Sequence, residues 1–237
     1  MKRLFLSIFL ILIFYNVSYA SSLSDIKNLF NKNKPPVELF GIKLFEDINK
    51  YSKDEIKEFR SLERPYKDRI NDTTELLGRE VRWLFLDNVE IKNSNFEYYT
   101  VYVNKKLEIV GIEGDSDIQG IDQPQICFDK KTKLLELIAE KHVLNIENFK
   151  EEIYVSKDGD KGGAIRSVFE FNHDGIDLNY SVSCTFYEED KKMWAHLFIE
   201  LSIEELSNDI YKLFYKKSEK SAEQLGFPYF KSDAKGL

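Results

Sequence analysis

Ile176-Asp177-Leu178-Asn179-Tyr180-Ser181-Val182-Ser183-Cys184-Thr185-Phe186-Tyr187 decides the fold. Leu178, Tyr180, Val182, Cys184 and Phe186 occupy alternate positions, and small polar residues fill the gaps. A period of two belongs to a β-strand, whose successive side chains point to opposite faces. A long strand is therefore expected, with one face in a core and the other, bearing Asn179, Ser181, Ser183 and Thr185, solvated or lightly covered. Strand patterns flank it, Ile165 to Phe171 before and Met193 to Leu201 after. The intervening Asn172-His173-Asp174-Gly175 and Glu188-Glu189-Asp190-Lys191-Lys192 are short polar turns, which predicts an antiparallel meander.

Upstream, Glu152 to Val155 reads as a strand and Asp158 to Gly163 as a loop. Before them a helix is predicted, capped by Asp129, with Leu134, Leu135, Ile138 and Val143 as its apolar stripe and Lys130, Lys131, Lys133 and Glu136 facing outward. Downstream, Ser202-Ile203-Glu204-Glu205 has the form of a capping box and opens a helix bearing Leu206, Ile210, Leu213 and Phe214. Gly226 and Pro228 end that helix, and Phe227, Tyr229 and Phe230 of the tail are able to dock on the body.

The first half repeats the order less sharply. Phe96 to Val103, the turn Asn104-Lys105-Lys106 and Leu107 to Gly114 form a hairpin. Val81, Trp83 and Phe85 alternate as a strand, although Leu77, Val81 and Leu84 also satisfy a helix. Residues 60 to 79 read as a loop. Leu39-Phe40-Gly41-Ile42-Lys43-Leu44 reads as a strand running into an acid-started helix with Ile48, Tyr51, Ile56 and Phe59. Ser22 to Asn33 has helical spacing and stops at Pro35-Pro36. The expectation is an α+β fold of two helix-plus-antiparallel-meander units packed in two layers, although a single fused sheet satisfies the same signals. Its parts are residues 21–114 as the first unit, 115–126 as connector, 127–226 as the second unit and 227–237 as tail.

Residues 1–20 read as a secretory signal peptide, with Lys2 and Arg3 before the apolar run Leu4 to Tyr15 and Ser18-Tyr19-Ala20 as the cleavage region. The run is shorter than the roughly 20 residues that span a bilayer, which predicts an exported, periplasmic or extracellular protein with no membrane attachment after cleavage. Of 34 Lys and Arg against 41 Asp and Glu, cleavage leaves 32 bases and a formal charge of −9. Nucleic acid is an improbable partner for such a surface. Cys127 and Cys184, the only cysteines, are expected to pair as a disulfide, since export favours oxidation. The competing reading makes one of them a catalytic thiol with His142, His173 or His196 as base.

No nucleophile elbow, zinc helix, phosphate loop or dinucleotide fingerprint occurs. Ser24-Asp25-Ile26-Lys27 matches a Ser-x-x-Lys pair but reads better as a helix cap. Asp158-Gly159-Asp160-Lys161-Gly162-Gly163 resembles half of a calcium loop, yet Phe169 stands where a bidentate acid is required, and Asp115 and Asp117 before Gly120 are a weaker version. No metal and no cofactor is expected. His196 alternates with Trp194 and Phe198, either as a stacking surface or as the underside of the last helix, with the second favoured because that helix needs a sheet face to cover.

The Leu39 to Leu44 strand followed by an acidic helix start resembles the opening of small exported α+β proteins of the bacterial envelope, most of unknown function. That resemblance implies a periplasmic interaction module and brings no catalytic residue with it. The residues themselves lead to the same class. Exposed tyrosine is what binding faces use, and the candidate binding face is Tyr98, Tyr102, Trp194 and His196. The function expected is a binding or interaction module with a protein or small-molecule partner. The alternative is a periplasmic hydrolase assembled from Glu, Asp and His residues distant in sequence.

Overall fold

The computed structural model describes residues 37–53, 55–57, 81–86, 89, 95–118, 123–142, 146–157, 162–189, 192–225 and 227. The signal-peptide segment, the helix predicted over Ser22 to Asn33, the loop 60–79 and most of the tail lie outside them.

The strands are β1 (Glu38–Leu39), β2 (Ile42–Lys43), β3 (Val81–Phe85), β4 (Tyr98–Asn104), β5 (Ile109–Ile118), β6 (Lys150–Ser156), β7 (Gly163–His173), β8 (Ile176–Glu189), β9 (Lys192–Ile203) and β10 (Tyr215–Lys217). The helices are α1 (Gln123–His142) and α2 (Glu204–Phe214). β1 and β2 form a small hairpin, and the rest make one eight-stranded sheet in the order β10-β6-β7-β8-β9-β5-β4-β3. All of its pairings are antiparallel.

This sheet overturns the arrangement of two helix-plus-meander units. The β3-β4-β5 and β6-β7-β8-β9 meanders are joined edge to edge, because β5 pairs with β9 from Gly111 opposite Ser202 to Ile118 opposite Ala195. The start of the expected connector, Asp115 to Ile118, is therefore strand. Asp, Ser and Gly suggest a turn when read alone, but here the β9 edge satisfies their backbone groups. Gly114 is required by packing: a Cβ there would stand 2.5 Å from the Phe40 ring.

Phe40 also explains why Leu39 to Leu44 is not one strand. Phe40 (φ 58°) and Gly41 (φ 80°) both adopt positive φ and fold the segment into the β1–β2 hairpin. A phenylalanine disfavours that conformation, and burial holds it there: its ring packs 4.8 Å from Tyr99 and 5.5 Å from Phe96. The helix expected to follow is, among the described residues, a single 3-10 turn, Ile48–Lys50, capped by Asp47.

The sheet has two faces, each with its own helix. Ile165, Leu178, Val182, Cys184, Leu197, Ile199, Leu201 and Ile112 are buried on one, and α1 lies over it with Leu134, Leu135 and Ile138 inward. Cys127 at the start of α1 is bonded to Cys184 on β8, which ties the helix to the middle of the sheet and leaves no free cysteine among the described residues. Phe227 docks here too, 4.8 Å from Phe186. α1 begins six residues before the predicted cap, so Asp129 lies inside it and accepts a hydrogen bond from Gln125. Lys131, expected to face outward, is buried and 3.6 Å from Glu151.

The other face is covered in part by α2. Asn179, Ser181, Ser183 and Thr185, expected to be solvated or lightly covered, are buried. The capping box does not form: Ile203 is the N-cap without a side-chain bond, while Ser202 Oγ donates to Glu200. Glu204 and Glu205 still place negative charge at the helix start, where the dipole favours it. The helix ends at Phe214, well before Gly226, and the chain continues as edge strand β10.

Candidate functional site

Strand register assigns the α2 face its residues. Alternate positions place Trp83 and Phe85, Tyr98 and Tyr102, Glu113 and Asp115, Trp194 to Ser202, and Asn179 to Tyr187 on one side. α2 divides this surface into a covered part and an open part.

Beneath α2 is a charged cluster that the sequence reading missed. Arg166 of β7 is fully buried. Its guanidinium lies 3.4 Å from Glu152 and 3.7 Å from Glu200, donates to Ser207 Oγ and sits 4.5 Å from the Tyr211 ring centre. Glu200 accepts from Ser202 at 2.6 Å, Ser207 at 2.9 Å and Ser181 at 3.3 Å. Tyr211 Oη donates to Ser183 Oγ at 2.6 Å. Burial opposes the charge on Arg166, but Glu200 and the neighbouring Tyr211, Tyr154 and Glu152 outweigh it and raise its pKa. Nearly every side chain here is committed to another, and the cluster fastens helix to sheet. An arginine at an inward-facing strand position, Ala164-Ile165-Arg166-Ser167-Val168, was the available signal.

The open part is aromatic. Phe85 and Tyr98 are each 48% exposed and Tyr187 is 38% exposed. Tyr187, His196 and Phe198 form a stacked row with ring centres 5.8 and 5.9 Å apart, and Trp83 meets Phe85 edge-on at 4.6 Å. The last helix borders this row at Phe198, whose rung also holds Ser183 and Arg166. From that rung α2 reaches Arg166 and Ser183, and from the next it reaches Glu200, while His196 stays partly exposed.

Asp115 sits between Tyr98 on β4 and Phe198 on β9. Its Oδ1 lies 3.5 Å from His196 Nδ1 and accepts no hydrogen bond. Asp115 and Asp117 are thus strand residues and not the start of a cation loop; Asp158 to Lys161 lie outside the described residues. Tyr102 stands at the border of the two parts. Its ring crosses Gly111, where a Cβ would meet Tyr102 at 2.9 Å and Leu206 of α2 at 3.2 Å, and its hydroxyl donates to Glu113 Oε2 at 3.2 Å. Withdrawal from water, then the charges of Glu200 and Asp115, push the Glu113 carboxyl up to about 8. Burial and Glu113 likewise drive the Tyr102 hydroxyl well above its usual range.

The four predicted face residues, Tyr98, Tyr102, Trp194 and His196, therefore share one side of the sheet although they come from two strands, β4 and β9, that are distant in sequence. Tyr98 is the most exposed, and Tyr102 is half withdrawn under the helix border. Phe85, Asp115, Glu113 and Tyr187 join them. Among the described residues, no group of three His, Cys, Asp or Glu side chains is placed to hold a metal ion, and no helix is long and apolar enough to cross a membrane.

Among the described residues the architecture is an eight-stranded antiparallel sheet with a helix on each face, α2 leaving an aromatic surface uncovered. No family model matches the chain, and no curated protein matches it.

Proposed function

We propose that this chain is an exported binding module of the cell envelope, and that the open part of the α2 face is where its partner sits. One observation carries the reading: the large exposed aromatics Phe85, Tyr98 and Tyr187 converge on a single sheet face next to the His196 row. Aromatic side chains supply much contact area at low entropic cost, as binding surfaces require. Export is supported by the leader-like first 20 residues and by a disulfide of the kind that persists in oxidising compartments.

A photo-crosslinking residue at position 98 tests the reading in cells, with position 176 on the other face as control; Ile176 is 40% exposed. A discrete adduct at 98 and none at 176 is expected. Equal labelling at both positions, or none at 98 from abundant folded protein, overturns it. N-terminal sequencing of the same material tests export, with Ser21 expected as the first residue.

A hydrolase is the second reading, favoured by Glu113, a carboxyl raised to about 8 on the same strand face as Asp115 and its neighbour His196. A carboxyl that holds its proton at neutral pH is suited to general acid work. Turnover of any ester, amide or glycoside in a substrate panel, abolished by Glu113→Gln, would establish it.

A further inference from the structure

The two edges of the eight-stranded sheet are built differently. β10 is three residues long and carries the exposed Lys216 and Lys217, the short, lysine-bearing form that keeps an edge from pairing with another strand. β3 at the other edge is Val81-Arg82-Trp83-Leu84-Phe85, with Arg82 as its one charge, and Phe85 is 48% exposed. Among the described residues β3 is paired on one side only, with β4.

The ladder fixes which backbone groups that edge offers. Leu86 N donates to Tyr99 O at 2.8 Å, which makes Leu86 and Tyr99 a hydrogen-bonded pair of the antiparallel ladder. Such pairs recur at every second residue, so Leu84 and Arg82 also turn their N–H and C=O groups toward β4, opposite Val101 and Val103. Val81, Trp83 and Phe85 turn theirs away from β4. A row of outward donors and acceptors without lysine or a bulge is a template for another strand.

Self-complementarity chooses the strand. In an antiparallel two-fold pairing centred on Trp83, Trp83 faces its own copy and Val81 faces Phe85 of the second copy. These are the residues with outward backbone groups, so every outward N–H meets an outward C=O. Side chains agree with this register. Trp83 meets Trp83 and Val81 meets Phe85 on the open face, aromatic and β-branched pairs of the kind that stabilise antiparallel strands. Arg82 falls opposite Leu84, so no like charges meet. Centring on Arg82 or Leu84 instead would call on backbone groups already given to β4.

We propose that β3 is a homodimerisation edge, at which two copies of this chain join β3 to β3 about a two-fold axis through the Trp83 pair. The axis stands perpendicular to the sheet and keeps the same face outward in both copies, so their open aromatic surfaces meet at the seam. This pairing does not depend on what the open face binds.

Sedimentation of the full-length mature protein over a wide concentration range is the test. A concentration-dependent dimer is expected, and a monomer at the highest soluble concentration overturns the proposal. Val81→Lys with Phe85→Lys in one chain sets lysine opposite lysine twice and should raise the dimer dissociation constant by at least about 10-fold. Val81→Glu with Phe85→Lys alters the same two positions but sets each lysine opposite a glutamate, and should dimerise at least about 10-fold more tightly than the double-lysine protein. Equal dimerisation of these two proteins, each folded by circular dichroism, places the interface elsewhere and overturns the proposal. Hydrogen exchange of the parent needs no substitution. The Val81, Trp83 and Phe85 amides should be protected in the dimer and lose that protection on dilution to monomer; protection that is the same in both, or free exchange in the dimer, overturns it.

Discussion

Glu113 and Glu200 are direct partners across the β5–β9 ladder, on the same face of the sheet. Their carboxyls resolve this close approach differently. Glu200 is surrounded by Arg166 and three serine hydroxyls, whereas Glu113 has the Tyr102 hydroxyl and is pushed up to about 8.

That rise sets a pH dependence. Unfolded Glu113 titrates near its ordinary value of 4.5, so between 4.5 and about 8 the folded state binds the extra proton. Its contribution to stability is fully present below that window and is lost as pH rises through it, with a slope of at most about 1.4 kcal/mol per pH unit. Glu113→Gln keeps a neutral side chain of the same shape. Urea unfolding at pH 6 and pH 9 should show a smaller loss of stability in the variant than in the parent; equal losses would refute the assignment.

Arg166, held on the sheet by Glu152 and Glu200, fastens α2 through Ser207 and the Tyr211 ring. Replacing it with Met leaves Glu200 buried without its countercharge, while Glu152 keeps Lys217, so a destabilisation of about 3–5 kcal/mol is expected. Adding Glu200→Gln should recover part of it. Simple additivity of the two changes in urea unfolding would argue against direct coupling.

Gly114→Ala places a methyl 2.5 Å from the Phe40 ring, which is held among Tyr99 and Phe96. A loss of about 2–3 kcal/mol is expected from overpacking. Phe40→Leu, which removes the ring, should relieve part of the Gly114→Ala penalty in the double variant while being costly by itself. Thermal unfolding of the three proteins checks this.

Cys127 and Cys184 are 57 residues apart in sequence. On the chain-entropy account, reducing their bond removes about 4 kcal/mol, and the paired Cys127→Ala, Cys184→Ala variant should lose a comparable amount. A reductant that lowers the melting point of the parent should not affect that variant.

Local pattern was legible where a short stretch carries its own answer. Alternation in Leu178 to Phe186 announced β8, aromatic and β-branched runs with Asn104-Lys105-Lys106 announced the β4–β5 hairpin, and the stripe Leu134, Leu135, Ile138 announced α1. Two cysteines in a chain with a leader-like start were enough to expect their bridge. Alternation also placed Tyr98 with Tyr102, and Trp194 with His196, since a period of two separates the faces of any strand. What alternation leaves open is which face receives a cover.

Tertiary structure decided that. The β5–β9 pairing joins residues about 85 positions apart, and no local preference in Asp115-Ser116-Asp117 selects that partner; an available strand edge does. α2 folding back over Ser181, Ser183 and Glu200 buried a row that reads as solvent-facing, and it drew Ser202 from the expected cap to the Glu200 carboxylate. The same helix, only 11 residues long, left the aromatic end uncovered. Periodicity and turns were legible because each depends on neighbouring residues, and the bridge because the chain has only two cysteines to pair. The continuous sheet, the buried Arg166 cluster and the open aromatic face were decided in three dimensions, because they depend on which distant backbone edges and side chains satisfy one another.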